Sequence, residues 1–514
     1  MFAKLRSAAF LGIDALPIDV EVDLASGRCE FSIVGLPDAS VKESGERVSA
    51  AVVNSGYSRP RGRVIVNLAP AEVKKEGPVF DLPIALGYLV SSSQVAANIA
   101  DATFLGELAL DGTVRPIRGA IAAALSARKN GSKVIFVPSA NAAEAAVVKD
   151  IEVVGVRSLS DAANYLTGYT PYDATHVNVE ELMKATVSSV DFSEVRGQSA
   201  AKRALTIAAA GGHNILLIGP PGSGKTMLAR RLPTILPGLS FEEAIESTSI
   251  HSLAGALRPG ASLITERPFR SPHHSVSVAA LIGGGTIPVP GEVSLAHHGV
   301  LFLDELAEFP RAALEALRQP LEDASISVSR VGAKVTLPAQ FMLVAAANPC
   351  PCGYLGDSRK PCRCDDRQIA RYRGRLSGPL LDRIDLHVVV KSVPVSEMDT
   401  GPQKPDSATL RASVEAARAI QRKRFEGTVV SCNARMGTRH LEKFCVLDDD
   451  SKRLIRAAMD SLGLSARAYS RILKMARTIS DLDASPEIHR HHLAEAVQYR
   501  ELDRACAVAP AMAG

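Results

Sequence analysis

The stretch HNILLIGPPGSGKTMLARRL, residues 213–232, decides the fold of this chain of 514 residues. Four apolar residues lead into a glycine-rich turn, and a run of helix-forming residues follows. Gly219 to Thr226 match the pattern G-x-x-x-x-G-K-[ST] in full. In that pattern backbone N–H groups surround phosphate oxygens at the start of a helix. We therefore predict a nucleoside triphosphate site on an α/β sheet.

Each position of this loop has an expected role. Lys225 should reach the β- and γ-phosphates, and the Thr226 hydroxyl should bind Mg²⁺. A glycine-rich turn with a chance lysine would be the alternative, but the strand, turn and helix in this order argue against it. The predicted nucleotide-binding residues are Gly219, Pro220, Pro221, Gly222, Ser223, Gly224, Lys225, Thr226 and Met227. ATP and Mg²⁺ are the expected cofactors.

Two further apolar runs end in polar residues that suit nucleotide hydrolysis. In GVLFLDEL (299–306), a buried strand brings Asp304 and Glu305 to its carboxyl end, where open α/β sheets bind ligands. Asp304 would bind Mg²⁺, and Glu305 would polarise the attacking water. In FMLVAAANPC (341–350), Asn348 would orient that water, although an asparagine in a turn before proline needs no such role.

Length and composition predict a multidomain α/β protein. The chain is too long for one core, and 46% hydrophobic with 22% charged residues is ordinary for a globular protein. No apolar stretch approaches the roughly 20 residues that span a bilayer, so we expect a cytoplasmic protein without a membrane partner. The net charge of +4 neither requires nor excludes nucleic acid as a partner.

The predicted divisions are 1–167 (mixed α/β), 168–190 (linker), 191–395 (a second α/β region with a cysteine-rich insertion at 350–364) and 396–514 (mostly helical).

The insertion at 350–364 contains four of the eight cysteines of the chain. They are Cys350, Cys352, Cys362 and Cys364. In a reducing compartment such a cluster favours metal over disulfide bonds. Two C-x-C pairs could close a tetrahedral thiolate site on Zn²⁺. We favour this interpretation, while free thiols and disulfides stay open.

The phosphate loop, the acidic strand and the asparagine strand, in this order, resemble those of AAA+ ATPases. DFSEVRGQSAAKRAL (191–205) is similar to the opening of an AAA+ core. GEVSLAHHGVLFLDEL (291–306) and LSGPLLDRIDLHVVV (376–390) resemble the ATPase subunit of magnesium chelatase. RPFRSPHHSVSVAALIGGG (267–285) and NPCPCG (348–353) resemble the YifB/ComM branch of magnesium-chelatase-like proteins. The likeness covers nearly the whole chain.

The resemblance implies an ATP-hydrolysing ring, a hexamer, in which an arginine of one subunit acts on the nucleotide of its neighbour. That arginine maps onto Arg383, for which a surface ion pair with a flanking aspartate would be the alternative. GLSARAYSRILKMARTISDL (463–482) resembles the helix that supplies a second sensor arginine in a C-terminal helical lid. Arg467 is our choice, and Arg471, one turn further on, stays open.

The first region resembles a protease domain without its catalytic pair. LAPAEVKKEGPVFDLPIALGYL (68–89) and GELALDGTVRPIRGAIAAALSARKNG (106–131) are similar to the C-terminal domain of Lon proteases. The resemblance implies a Lon-protease-like (S5 domain 2-like) α/β fold. The serine and lysine positions of that family read Val79 and Ala123, so no protease activity is expected. The lysine pair at 74–75 is interpreted as solvated loop charges.

The same resemblance implies DNA as the partner, because ComM-like proteins are linked to natural transformation and homologous recombination as branch-migration helicases. Two basic runs, RQIARYRGR (367–375) and ARAIQRKRF (417–425), suit phosphate contacts without base readout. A solvated helix face would explain them equally well. His273 and His274 could face DNA or serve as turn residues. The alternative functions are a magnesium chelatase-type enzyme and a chaperone-like remodeller of a protein partner.

Overall fold

The structure is a computed structural model that describes residues 2–59, 62–184, 190–284, 289–330, 333–357, 359–376, 378–393 and 405–500. The prediction of a mixed α/β multidomain chain is confirmed. An N-terminal α/β region is followed by a core with a parallel sheet and by a helical C-terminal region. Within the residues described, no helix is long and apolar enough to cross a membrane.

The N-terminal region is built on a mixed sheet. Its strands are β1 (Phe2–Leu11), β2 (Asp14–Ala25), β3 (Glu30–Val34), β4 (Arg63–Ala69), β5 (Ala102–Phe104), β6 (Glu107–Leu108), β7 (Val114–Arg115), β8 (Val134–Pro138) and β9 (Glu152–Val156). Seven of them form one sheet in the order β3-β4-β2-β1-β5-β8-β9, and β6 pairs with β7. Its helices are Ala39–Lys42, Ser44–Asn54, Asp81–Ser91, Ala120–Lys129, Ala142–Ala145 and Leu159–Thr167.

The two lysines of the pair at 74–75 have different environments. Lys74 is exposed and its ammonium lies 2.6 Å from Glu76, whereas Lys75 is fully buried and donates a hydrogen bond to the Pro70 carbonyl. Burial lowers the pKa of the Lys75 ammonium. The interpretation of Lys75 as a solvated charge is therefore wrong. A backbone bridge with Pro37 holds this segment extended, and side chains alternate between the two sides of an extended chain.

The core is a parallel sheet of the kind that binds nucleotides. Its strands and two small hairpins are β10 (Ile215–Ile218), β11 (Phe269–Arg270), β12 (Gly283–Gly284), β13 (Val289–Pro290), β14 (Val300–Leu303), β15 (Ser325–Arg330), β16 (Ala333–Pro338), β17 (Met342–Ala347) and β18 (Leu386–Val389). The sheet has the order β11-β14-β17-β10-β18, and every neighbouring pair is parallel. Strands β14 and β17 are buried along their whole length, as expected when helices cover both faces.

The helices of the core are Ser199–Gly211, Lys225–Ile235, Phe241–Leu253, Val278–Ile282, Glu292–Leu295, Arg311–Ala316, Arg318–Asp323, Asp366–Arg373 and Gly378–Leu381. The C-terminal helices are Ser407–Arg424, Thr438–Phe444, Asp449–Leu462, Ala466–Leu482 and Arg490–Gln498. Three of these begin at a side-chain cap: Asp406, Asp448 and Ser465 each accept the N–H three residues ahead, which satisfies a donor that the helix itself leaves unpaired.

A buried carboxylate connects the N-terminal region to the core. Glu144 accepts the N–H of Ile121 at 3.0 Å and the hydroxyl of Ser252 at 2.5 Å. The same hydroxyl accepts the N–H of Gly119 at 2.8 Å. Gly119 has φ of 80°, and a Cβ there would lie 2.6 Å from a methyl group of Leu253. The positive φ and this close contact between the two regions therefore favour glycine at this position.

The segment predicted as the linker, 168–190, carries a helix, Val179–Lys184. Its Leu182 and Met183 pack with Val147 of the N-terminal region and Leu239 of the core. The predicted divisions stay predictions. Residues 185–189, and the division at 395 and 396, lie outside the described residues.

A network of buried charges holds the C-terminal helices together. Asp481 has no exposed side-chain surface and pairs with Arg424 and with Arg477. It also accepts the amide of Asn433 at 2.8 Å. One carboxylate thus compensates two guanidinium groups that belong to different helices.

Replacing Asp481 with asparagine should destabilise the C-terminal region by about 3 kcal/mol or more, because two buried cations lose their counter-charge. Urea unfolding followed by circular dichroism measures the change. Asp450→Asn is the matched control, since Asp450 forms an exposed pair with Arg453, and exposed pairs contribute little. Equal stability of Asp481→Asn and the control would contradict this account.

Candidate active site

The phosphate loop connects β10 to the helix that begins at Lys225. Gly222 and Gly224 have φ of 74° and 90°, a conformation that lets successive N–H groups turn to one side. The Lys225 ammonium is buried and donates to the carbonyls of Gly219 and Pro220 at 2.7 and 3.0 Å. Burial lowers its pKa, against the opposing effect of nearby carboxylates. Phosphate oxygens are the acceptors that this ammonium is placed to bind.

The two predicted Mg²⁺ ligands lie together beside this loop. The Thr226 hydroxyl donates to Asp304 at 2.7 Å. A hydroxyl and a carboxylate suit Mg²⁺, which binds few protein oxygens and keeps several waters. Asn348, at the end of the neighbouring strand β17, accepts from the Lys225 ammonium at 3.3 Å. The structure therefore brings the predicted residues from three strands to one edge of the sheet.

Glu305 follows Asp304 in a left-handed conformation, with φ of 53°. Its N–H donates to the Asp304 carboxylate at 3.0 Å, and its own side chain is more than half exposed. Nδ1 of His274 lies 3.7 Å from the Glu305 carboxylate. Because β11 and β14 are parallel neighbours, the segments that follow them meet at this edge. The structure thus places His274 beside the predicted water-activating carboxylate, while contact of His273 and His274 with DNA stays a prediction.

Arg383 lies at the opposite end of the strands, where the strands of the parallel sheet begin. It is 9% exposed, pairs with Glu322 and donates to the carbonyl of Pro379. Its own carbonyl accepts the side-chain amide of Asn214 at 3.0 Å. Asn214 directly precedes β10, and the phosphate loop directly follows it. The length of this strand, about 13 Å, separates Arg383 from the phosphate loop of the same chain.

Arg383 shares a cavity with both candidates for the second sensor arginine. Arg467 is exposed and lines a cavity of 520 Å³ together with Arg471 and Arg383. Arg471 pairs with Asp385 at the cavity wall. Burial favours a higher pKa for the Asp385 carboxyl, but the Arg471 guanidinium holds this pKa below its ordinary value. Among these three arginines, Arg383 and Arg471 are thus already ion-paired, and the exposed Arg467 can approach an anion.

Sequence reasoning missed two further cations of this cavity, Arg435 and Lys474. Lys474 donates to the carbonyl of Ala434 at 3.0 Å, and burial lowers its pKa. Arg435 lies outside the motifs of the sequence analysis, and Lys474 lies within the stretch 463–482 but was not singled out there. They reach the cavity because the C-terminal helices fold back against the amino ends of the core strands, which local sequence does not reveal.

The four predicted metal ligands also come together. The sulfur of Cys350 lies 3.4 Å from that of Cys352 and 3.6 Å from that of Cys362. With Cys364 included, all four sulfurs lie within 4.8 Å of one another, and none is in a disulfide. The cluster is compatible with Zn²⁺, which binds four thiolates tetrahedrally.

The first basic run, 367–375, falls largely on the helix Asp366–Arg373. Arg367 and Arg371 are exposed and stand one turn apart on this helix. Arg375 lies beyond the helix and pairs with a carboxylate at 3.0 Å. This helix therefore presents two arginines on one exposed face.

The second basic run, 417–425, has two arginines in structural contacts. Arg424 belongs to the buried network around Asp481. Arg418 is half-buried and donates to the carbonyl of Ala209 at 3.0 Å. The interpretation as a solvated face is therefore wrong for these two arginines, whereas Arg422 and Lys423 are exposed, and contact of the run with DNA stays a prediction. The helix Ser407–Arg424 packs against the core through the side that carries them.

Comparison with known protein families gives matches along most of the chain. The family described as magnesium chelatase, subunit ChlI, matches residues 191–398. A second family, described as subunit ChlI of Mg-chelatase, matches residues 20–141. A third, the C-terminal part of subunit ChlI, matches residues 404–500. The core that carries the phosphate loop is thus of the magnesium-chelatase AAA type, a family of ATPases.

Individual relatives extend this likeness to nearly full length. The YifB protein of Salmonella typhimurium is 45% identical over 504 residues, which cover 98% of this chain and 97% of the relative. The competence protein ComM of Haemophilus influenzae is 45% identical over 506 residues, 98% of each chain. A DNA replication licensing factor, mcm-6 of Caenorhabditis briggsae, is 22% identical over 300 residues, which cover 55% of this chain and 32% of the relative.

Replacing Asn348 with alanine should lower the turnover of ATP about 100-fold, because the attacking water loses a positioned hydrogen-bond partner. ATP affinity should change much less than turnover, since the phosphate loop with Lys225 is itself unaltered. Steady-state kinetics and calorimetric titration with ATP separate the two effects. Asn130→Ala, at an exposed site of the N-terminal region, is the control. Turnover equal to that of the control would show that Asn348 has no part in hydrolysis.

Proposed function

The chain belongs to the YifB/ComM family of magnesium-chelatase-like proteins, and on this basis we propose that it is an ATP-driven ring motor acting on DNA. Its specific activity would be branch migration, as a helicase in homologous recombination and natural transformation. The name of the Haemophilus relative, a competence protein, supports this activity. The partial likeness to a replication licensing factor also supports DNA as the substrate.

One observation supports the proposal of a ring: the parts of the candidate site lie at the two opposite ends of the strands of one sheet. The phosphate loop lies at the carboxyl ends of the strands, while Arg383 and Arg467 line a cavity at the amino ends. These arginines are too far from the phosphate loop of their own chain to reach its nucleotide. A second copy that presents its phosphate loop to this cavity would complete the site. Repetition of this contact closes a ring, for which we propose six subunits.

The residues at the carboxyl edge provide the chemistry of hydrolysis. Lys225 binds the β- and γ-phosphates, and Thr226 and Asp304 hold Mg²⁺. Glu305 takes the proton of the attacking water while Asn348 orients it. Arg383 of the neighbour stabilises the charge that develops on the transferred phosphate, and Arg467 assists from the same cavity.

The surface suited to DNA is the helix Asp366–Arg373. Its exposed Arg367 and Arg371 can contact backbone phosphates without reading bases. We propose branched or single-stranded DNA, bound without sequence preference.

The N-terminal region is proposed to have a Lon-protease-like fold that no longer cleaves protein. Val79 and Ala123, at the positions of the serine and the lysine, are both buried and carry no nucleophile or base. Zn²⁺ is the proposed occupant of the four-cysteine cluster, in addition to ATP and Mg²⁺ at the phosphate loop.

DNA should stimulate the ATPase several-fold, with forked and four-way junctions more effective than linear duplex, because a branch-migration motor engages branched substrates. ATP turnover measured with single strands, duplex, forks and junctions tests this expectation. Strand displacement on the junctions gives a second readout. Turnover that no DNA changes would contradict the helicase and favour the chelatase-type enzyme or the protein remodeller.

Glu305→Gln should bind ATP with nearly unchanged affinity and hydrolyse it about 100-fold more slowly, because the amide cannot accept the proton of water. Glu308→Gln is the matched control, since Glu308 lies three residues further on and pairs with Arg375. Binding is measured by calorimetry and turnover by phosphate release. Full turnover in Glu305→Gln would remove Glu305 from the mechanism.

A further inference from the structure

The four-cysteine loop packs directly against the phosphate loop. Gly353, which follows Cys352, has φ of 83°, and a Cβ at this position would lie 2.6 Å from Cδ and 2.8 Å from Cγ of Pro221. Pro221 is part of the phosphate loop. The two loops therefore meet at a distance that only glycine permits. A displacement of the cysteine loop would leave this side of the phosphate loop without its support.

The cysteine loop also contacts the active site at its other end. The helix Asp366–Arg373 begins directly after the last cysteine of the cluster, with Asp365 as its cap. Tyr372 of this helix is buried, and the backbone of Asn348 lies close enough to its hydroxyl to act on the pKa of that group. The segment thus leaves the sheet at Asn348, passes over the phosphate loop and returns to Asn348.

The arrangement of the sulfurs fits one tetrahedral metal ion. A tetrahedron of sulfurs with metal–sulfur bonds of about 2.3 Å has edges of about 3.8 Å. The sulfurs of Cys350, Cys352 and Cys362 lie 3.4, 3.6 and 3.6 Å apart, well above the length of a disulfide bond. The N–H groups of Cys352 and Cys364 each donate to a cluster sulfur at 3.4 Å, and such donors stabilise thiolates. Four thiolates and no nitrogen or oxygen ligand select Zn²⁺ over Mg²⁺.

We infer that a Zn²⁺ held by the four cysteines keeps the phosphate loop and Asn348 in their nucleotide-binding arrangement, so that affinity for Mg·ATP depends on zinc. The inference rests on the proposed function insofar as ATP is the ligand of the phosphate loop. Its physical basis is conformational entropy. Outside the sulfurs, the described residues of the loop, 351–357 and 359–363, carry few buried apolar groups, and such a segment stays ordered through its metal.

The test uses the full chain, purified without a metal-affinity tag. Zinc is measured by atomic emission, and Mg·ATP affinity by calorimetry. Wild type should contain about one zinc per chain. Cys362→Ser should lose zinc and bind Mg·ATP at least about tenfold more weakly. Removing zinc from the wild type with a chelator should have the same effect, and adding Zn²⁺ back should reverse it.

Two further variants separate the metal from the contact it supports. Gly353→Ala keeps all four sulfurs, so it should retain zinc and yet bind Mg·ATP more weakly, because its methyl group pushes against Pro221. Cys29→Ser removes an exposed cysteine outside the cluster and should change neither quantity. Since Gly353→Ala and zinc removal do not depend on Cys362→Ser, the inference stays testable if that variant fails to fold.

Zinc below about 0.3 equivalents in the wild type would overturn the metal assignment. Zinc loss with unchanged Mg·ATP affinity would overturn the support of the phosphate loop. Neither measurement involves DNA, so failure of the DNA motor would appear separately, as turnover that DNA does not stimulate. A wild type that contains zinc but binds no nucleotide would refute both the ATPase and this inference, while leaving the metal site in place.

Discussion

The parallel pairing of β10 with β17 and β18 is the constraint on which the rest of the structure depends. Because Ile215 of β10 stands opposite both Val344 and Leu386, the three strands begin and end at the same two edges. The residues that directly follow β10, β14 or β17 therefore lie around the phosphate loop. The residues that directly precede β10 or β18 lie at the other end of the strands, about 13 Å away. In the ring proposed above, each chain therefore contributes one half to each of two hydrolytic sites.

The amino edge is also where the C-terminal helices are attached. Asp385 is buried there, accepts the N–H of Asn214 at 2.9 Å and pairs with Arg471. His213 lies 3.5 Å from the same carboxylate. The arginine cavity is therefore built jointly by sheet and helices, and any shift of the helices changes its shape. At the carboxyl edge, the cysteine loop gives the phosphate loop a comparable support. In the proposed ring, both supports meet at each interface between subunits.

Much of the core could be predicted from the sequence because its strands are apolar runs that end in functional residues. Lys225, Asp304 and Asn348 converge as expected once those strands are parallel neighbours. The cysteine cluster could also be predicted, since its four cysteines lie close together in the sequence. Other features depend on long-range packing. The inward side chain of Lys75 follows from a bridge to a distant segment, and Arg435 reaches its cavity only through the folding of the C-terminal helices. The burial of Arg424 depends on Asp481, 57 residues away.

The central claim is that a complete site needs two copies of the chain, and mixing two inactive variants tests it most directly. Lys225→Ala removes the nucleotide half, and Arg383→Ala removes the arginine half. Each alone should be inactive. Rings assembled from an equimolar mixture of the two variants should recover about a quarter of wild-type ATP turnover. In such rings one interface in four combines an intact phosphate loop with an intact Arg383. Mixed rings with no more activity than either parent would contradict the claim, since no subunit contains both residues.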